Sequence, residues 1–238
     1  MTGTTKLKIL CLHGMVQNGT VFRKKTAVLR KKLDKIADLV YVTAPHLVLD
    51  PEYTTEVHRI AAAEPLAHEE NKPFGWWQPM RNRPNTSDGY YQGFKESIEY
   101  LKGIMIEQGP FDGVFGFSQG ACLAALLSEI LENRTLVPDL IPKDFDHPPF
   151  RFAIIAAGFK TVSQEATSAL FQNKIQTPSI HLIGEADTVI EPERMLDLAN
   201  AFNSPVIFKH AGGHLVPTNA ASKNEIYEFV NKFILASQ

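Results

Sequence analysis

The residues best suited to chemistry in this 238-residue chain are Gly116-Phe117-Ser118-Gln119-Gly120, a serine bracketed by glycines two positions to either side. A serine in this setting can act as a nucleophile if the chain holds it exposed on a sharp strand-to-helix turn, where glycines let strand and helix approach closely. The five residues alone are a modest signal, and their context strengthens it. Asp112-Gly113-Val114-Phe115-Gly116-Phe117 reads as a buried strand running into Ser118, and Gly120-Ala121-Cys122-Leu123-Ala124-Ala125-Leu126-Leu127 reads as a helix of small and apolar residues.

A serine hydroxyl is a weak nucleophile and needs a general base. Of the histidines that follow Ser118, His147 lies in a proline-rich stretch and His181 inside a strand-like run. The segment Phe208-Lys209-His210-Ala211-Gly212-Gly213-His214 leaves a strand through two glycines and delivers His214 to a loop at the sheet's carboxyl edge, where ligands of open α/β sheets gather. His214 is therefore preferred over His210. Glu185-Ala186-Asp187 follows another strand directly, and a carboxylate at Asp187 would hold the imidazole tautomer and stabilise the imidazolium; Glu185 is the alternative. Charge developing on a substrate oxygen needs backbone N–H donors. Gln119 should supply one, and Met15, in the turn Leu12-His13-Gly14-Met15 after the first strand, the other. His13 is read as shaping that turn.

The elements that must position these groups alternate apolar runs with amphipathic segments. Strands are expected at 7–12, 39–43, 113–117, 152–157, 179–183 and 206–209, each nearly continuous in apolar residues, as for parallel strands buried on both faces. Helices are expected at 19–36, 88–108, 120–131 and 192–202. A last helix carries Ile226, Phe229, Val230, Phe233 and Ile234 as one apolar stripe. The fold class is α/β: about six mainly parallel strands with helices on both faces, in a single domain over residues 1–238. Two connections are long. The stretch 45–87 carries some helix near 54–63 and then Trp76-Trp77, which either line an apolar substrate pocket or pin an irregular loop. The stretch 132–151, rich in proline and charge, reads as a surface excursion.

Composition narrows the function classes. A net charge of −2 gives no electrostatic case for nucleic acid, and no apolar run approaches a membrane span. The first residues lack the long apolar core of a secretory leader, so a cytoplasmic protein with Cys11 and Cys122 as reduced, buried thiols is expected. No Gly-x-Gly-x-x-Gly follows the first strand, which argues against a dinucleotide site. No metal-ligand spacing stands out, and the oligomeric state is left open.

Taken together, Lys8-Ile9-Leu10-Cys11-Leu12-His13-Gly14 with Gln17-Asn18-Gly19, the run from Gly109 to Ala121, Gly184-Glu185-Ala186-Asp187 and Gly212-Gly213-His214-Leu215-Val216-Pro217 resemble the fungal FSH family of serine hydrolases, within the α/β-hydrolase superfamily. The likeness spans almost the whole chain and keeps the family's order. It implies a Ser118–Asp187–His214 triad and an esterase or thioesterase that acts on a small-molecule ester or thioester without a cofactor. The antiparallel strands that begin larger α/β hydrolases are absent from the expected order. Because fold does not dictate function, a non-catalytic binding module on the same fold is the alternative.

Overall fold

The structure, a computed structural model, describes residues 6–64, 66–78, 91–160 and 169–235. The first residues of the chain, Pro79 and the start of the helix expected from 88 lie outside them. Six strands form one sheet: β1 (Leu7–Leu12), β2 (Ala37–Val42), β5 (Gly113–Phe117), β6 (Phe152–Ala156), β7 (Ser179–Gly184) and β8 (Val206–His210). Their order is β2-β1-β5-β6-β7-β8, and every neighbouring pair is parallel. The expected strands are all present, with ends shifted by no more than two residues.

Their near-continuous apolar character follows from two cores, one on each face. Leu10 and Leu12 of β1, Val114 of β5 and Ala153 and Ile155 of β6 enter one cluster; Ile9, Cys11, Phe115, Phe117, Phe152 and Ile154 enter the other. The first face is covered by α4 (Phe94–Gln108), through Phe94, Ile98, Leu101 and Met105, and by α5 (Gln119–Glu132). The second is covered by α1 (Gly19–Lys25), α2 (Ala27–Leu33) and α7 (Ala220–Leu235), whose Ile226, Phe229 and Val230 are buried as the periodicity requires. The helix α6 (Pro192–Ala199) packs beside β7.

Three features depart from the sequence expectation. The helix expected at 19–36 is two helices broken at Thr26. The Thr26 hydroxyl donates to the Phe22 carbonyl at 2.8 Å and receives the Tyr41 hydroxyl at 2.7 Å, a competition with helical backbone typical of threonine. The segment after α5 is no surface excursion. Val137, Leu140, Ile141 and Phe150 are almost fully buried in the first core, and His147 with them. The reason lies in α5, which is apolar on every side and so needs a second cover opposite the sheet. His147 anchors that cover: its Nε2 accepts from the Phe111 N–H at 2.9 Å while its Nδ1–H donates to the Pro148 carbonyl at 2.7 Å. Finally, the stretch after β2 holds β3 (His46–Leu47) and β4 (Phe74–Gly75) as a small antiparallel pair, with α3 (Glu56–Ala63) between them. Phe74 N–H donates to the Gln17 carbonyl at 2.9 Å, and Asn18 Nδ2 donates to the carbonyls of Glu69 and Lys72. The long loop is thereby tied to the turn that follows β1.

Candidate active site

Ser118 stands between β5 and α5 with φ 53° and ψ −118°, a left-side conformation that a side-chain-bearing residue adopts only when its surroundings enforce it. The glycines flanking it explain how. A Cβ on Gly116 would lie 2.3 Å from the Gly120 carbonyl oxygen, and one on Gly120 would lie 2.2 Å from that of Leu12. Strand, helix and the end of β1 therefore meet at backbone distance. The Ser118 N–H donates to Ala156 O at 2.9 Å, and its carbonyl accepts from Ala121 and Cys122 in the first turn of α5. The side chain is left partly exposed at the sheet's carboxyl edge.

His214 reaches the serine from the loop after β8. A Cβ on Gly184, at the end of β7, would come 2.5 Å from the Gly213 carbonyl, so the 212–213 turn lies directly on that strand end. His214 Nε2 is 3.0 Å from Ser118 Oγ, and His214 Nδ1 is 2.7 Å from Asp187 Oδ2. The other Asp187 oxygen accepts the N–H groups of Val189 at 2.8 Å and Ile190 at 3.0 Å. With its carboxylate fully buried and three donors arranged around it, Asp187 sets one tautomer: the proton on Nδ1, the lone pair of Nε2 toward the serine. The Phe117 ring, 4.9 Å from the imidazole, fixes the other side of its slot. Glu185, the alternative acid, is exposed. His210, the alternative base, is turned into its own loop, where its Nδ1 accepts from the Gly212 N–H at 3.2 Å. An imidazole bridging a hydroxyl and a buried carboxylate in this way can take the hydroxyl proton and carry the resulting charge.

The turn after β1 lies against the serine. A Cβ on Gly14 would sit 3.3 Å from Ser118 Cβ and 2.9 Å from the Phe117 ring, a space only glycine leaves open. His13 holds this turn from within. It is fully buried, its Nε2 accepts from the Ala44 N–H at 2.9 Å and its Nδ1–H donates to the Gly14 carbonyl at 2.7 Å. Burial lowers its pKa to about 4, so it stays neutral and the accepting role is kept. Among the described residues, neither the Met15 N–H nor that of Gln119, the first residue of α5, donates to another protein group. Two amide donors thus flank the serine with their hydrogens unspent.

Trp76 and Trp77 are buried, at 0 % and 5 % exposure, and serve the loop. The Trp76 indole N–H donates to His13 O at 2.9 Å, and Trp77 stacks on Tyr91 with its edge toward Phe94. These contacts pin the loop, one of the two readings offered for the pair, and leave the pocket reading untested. The sequence reasoning missed the part played by the Gln119 side chain. Its Oε1 accepts from the Trp76 N–H at 2.8 Å and its Nε2 donates to the Trp77 carbonyl at 2.9 Å, clamping the tryptophan loop to the helix that begins beside the serine. Beside His214 a cleft of about 300 Å³ opens, with Phe22, Phe117, Leu215 and Val216 among its walls. Sequence reasoning assigned it no residues. A second cleft of about 500 Å³ lies away from the serine, at the other end of α5, beside Glu129 and Glu132.

Among the described residues no group of three or more His, Cys, Asp or Glu side chains gathers as a metal site, and no helix is long and apolar enough to cross a membrane. Cys11 and Cys122 are buried and not linked to each other.

Comparison with known proteins adds a family. The serine hydrolase (FSH1) family matches residues 1–226. Esterase OVCA2 of Danio rerio is 35% identical over 95% of this chain and 97% of its own length. A dihydrofolate reductase of Schizosaccharomyces pombe is 36% identical over 94% of this chain, but the chain spans only 47% of that protein. These matches join a yeast and a vertebrate, so they do not place the chain among fungal proteins. The crystal structure of Zea mays acyl-protein thioesterase 2 superposes with a TM-score of 0.60 over 98% of this chain and 96% of its own, at 17% identity, a likeness of fold.

Proposed function

Because the chain belongs to the serine hydrolase (FSH1) family, we propose that it hydrolyses small carboxylic esters or thioesters through a Ser118–His214–Asp187 triad and an acyl-enzyme intermediate. The observation that carries this reading is the His214 imidazole, 3.0 Å from the Ser118 hydroxyl on one nitrogen and 2.7 Å from the Asp187 carboxylate on the other. The esterase name of the Danio rerio relative, which this chain matches nearly end to end, supports the substrate class.

In the first step Ser118 Oγ adds to the substrate carbonyl carbon while its proton passes to His214 Nε2. The carbonyl oxygen takes up the negative charge and meets the N–H groups of Met15 and Gln119, donors that need no reorganisation. Asp187 stays ionised and stabilises the imidazolium. Collapse of the tetrahedral species breaks the bond to the leaving oxygen or sulfur, which receives the His214 proton and departs. Water then repeats the sequence on the acyl-serine, giving up a proton to His214 and releasing the acid. The machinery consists of side chains and backbone amides.

Purified protein assayed with short-chain p-nitrophenyl esters tests this. Ser118→Ala should lower kcat by about 10⁶-fold, to the background set by binding and the amide donors. Wild type should also be labelled by a fluorophosphonate probe, with labelling lost on heating or in Ser118→Ala. Unchanged ester hydrolysis in the variant would sink the proposal, and folded protein that resists the probe would point to a binding module.

A further inference from the structure

The cleft beside His214 is lined by apolar side chains, one cation, Lys25, and one hydroxyl, Thr218. Phe22, Phe117, Leu215 and Val216 form walls, His214 contributes its ring, and among the described residues Lys25 is the one charged member of the lining. Neither Ser118 nor the amide-bearing residues Met15 and Gln119 belong to it. His214 and Phe117, the residue before Ser118, both border it, so a group filling this cleft lies against the imidazole that would protonate the leaving atom.

The cation at this cleft is unspent. In the last turn of α1, Lys24 pairs with Glu70, and the Arg23 guanidinium lies 6.0 Å from the centre of the Tyr41 ring. Lys25, the third cation of that turn, is exposed and has no ion pair or hydrogen bond among the described residues. It also belongs to a stretch of sequence rich in cations. Residues 23–35 hold seven lysines and arginines, Arg23, Lys24, Lys25, Arg30, Lys31, Lys32 and Lys35, against one acid, Asp34, in a chain whose net charge is −2. A mainly apolar slot at the small end of ligand-site volumes, with one free ammonium at its lining, suits a short chain that ends in an anion.

Resting on the triad reading, we infer that the cleft is the leaving-group pocket and that the preferred leaving group is a short thiol or alcohol bearing an anionic group, carboxylate or phosphate, recognised by Lys25. The acyl side carries no such requirement. Lys25 acts on specificity and takes no part in bond making.

Four thioesters, followed by release of the free thiol, test this. Three share a butanoyl group, on 3-mercaptopropanoic acid, on its methyl ester and on 2-mercaptoethyl phosphate. The fourth places the charge on the acyl side, as the succinyl thioester of methyl 3-mercaptopropanoate. At low ionic strength, wild type should favour at least one anionic-thiol substrate over the neutral methyl ester by about 5-fold in kcat/KM, as expected for a partly exposed charge pair. The favoured member tells carboxylate from phosphate, and added salt should shrink the preference. Read as the ratio of anionic to neutral kcat/KM, Lys25→Gln should abolish the preference and Lys25→Glu reverse it, while Lys31→Gln, outside the cleft, keeps it. Equal rates for neutral and anionic thiols, a preference confined to the succinyl substrate, or Lys25 variants that slow all four alike would overturn the assignment. If Ser118→Ala hydrolyses the four as fast as wild type, the triad reading itself fails; Ser118-dependent hydrolysis without charge preference overturns only the pocket assignment.

Discussion

The Trp76 indole N–H donates to the main-chain carbonyl of His13 at 2.9 Å, joining a loop element 63 residues away to the turn that lies against Ser118. The same carbonyl would lie 2.5 Å from a Cβ on Gly120, so the start of α5 packs directly against it. The Met15 amide follows two residues later, and its direction depends on where His13 and Gly14 are held.

Trp76→Phe keeps most of the apolar volume and removes that donor. A buried carbonyl left without a partner costs about 1–3 kcal/mol, or several degrees in Tm for a chain of this size. If the bond also aims the Met15 amide, kcat for ester hydrolysis should fall by about 10-fold with KM nearly unchanged. Thermal melts and steady-state kinetics on the same preparation separate the two effects; a lower Tm with unaltered kcat would confine Trp76 to stability.

Asp187→Asn tests the tautomer argument. Asparagine can still accept the Val189 and Ile190 N–H groups through its carbonyl oxygen, so the loop should persist. Its amide would face His214 Nδ1 as a donor and move the imidazole proton to Nε2, leaving no lone pair for Ser118. The expected outcome is a fall in kcat of about 10⁴-fold with a melting temperature close to wild type. A loss of less than 10-fold would remove Asp187 from the proposed triad.

How far these residues were legible in the sequence follows from where each one sits. Ser118 and Asp187 stand just beyond strands buried on both faces, which announce themselves as short unbroken runs, whereas His214 follows an edge strand of alternating exposure and is legible through its Gly212-Gly213 turn. The serine's place on a sharp strand-to-helix turn could be read from its glycines because they answer to local sterics. The Gln119 clamp on Trp76 and Trp77 spans 43 and 42 residues, and the His13 bond to Ala44 spans 31. Contacts of that range have no period and leave no local pattern. The cover over α5 was misread because Val137, Leu140, Ile141 and Phe150 are spaced irregularly among prolines and charges. The cleft beside Lys25 exists only once α1 and the loop after His214 are brought together in space.

Glu129, near the end of α5, offers a pH-dependent test. Both its oxygens accept from the Phe171 N–H, at 2.7 and 2.9 Å. Burial raises its pKa from 4.5 to about 7, opposed by that N–H and reinforced by Glu132. Between pH 4.5 and about 7 the native state keeps a proton that the unfolded chain has released. This group's contribution to stability therefore falls as pH rises through that window and is flat above it. Glu129→Gln, an uncharged acceptor, should melt with wild type near pH 4.5 and above it at pH 8, by on the order of 1 kcal/mol. A variant less stable than wild type at pH 8 would mean that the charged hydrogen bond to Phe171 outweighs the cost of burying the carboxylate.

Two glycine substitutions should move stability in opposite directions, for reasons visible at each position. Gly103 is inside α4, and a Cβ there would meet nothing within 4 Å. Alanine loses less backbone freedom on folding, so Gly103→Ala should stabilise by about 0.5–1 kcal/mol without touching kcat. At Gly120 the added carbon would lie 2.2 Å from the Leu12 carbonyl oxygen and 2.5 Å from that of His13, both main-chain atoms of the strand and turn beside Ser118. Backbone cannot rotate away as a side-chain tip can. Gly120→Ala should therefore push α5 off the end of β1, lowering stability by about 2 kcal/mol or more and cutting ester hydrolysis at least 10-fold in whatever folds. Denaturant midpoints and kcat measured side by side decide both, and a Gly120→Ala protein with wild-type values would show that the close approach of α5 to β1 is not needed to hold the serine in place.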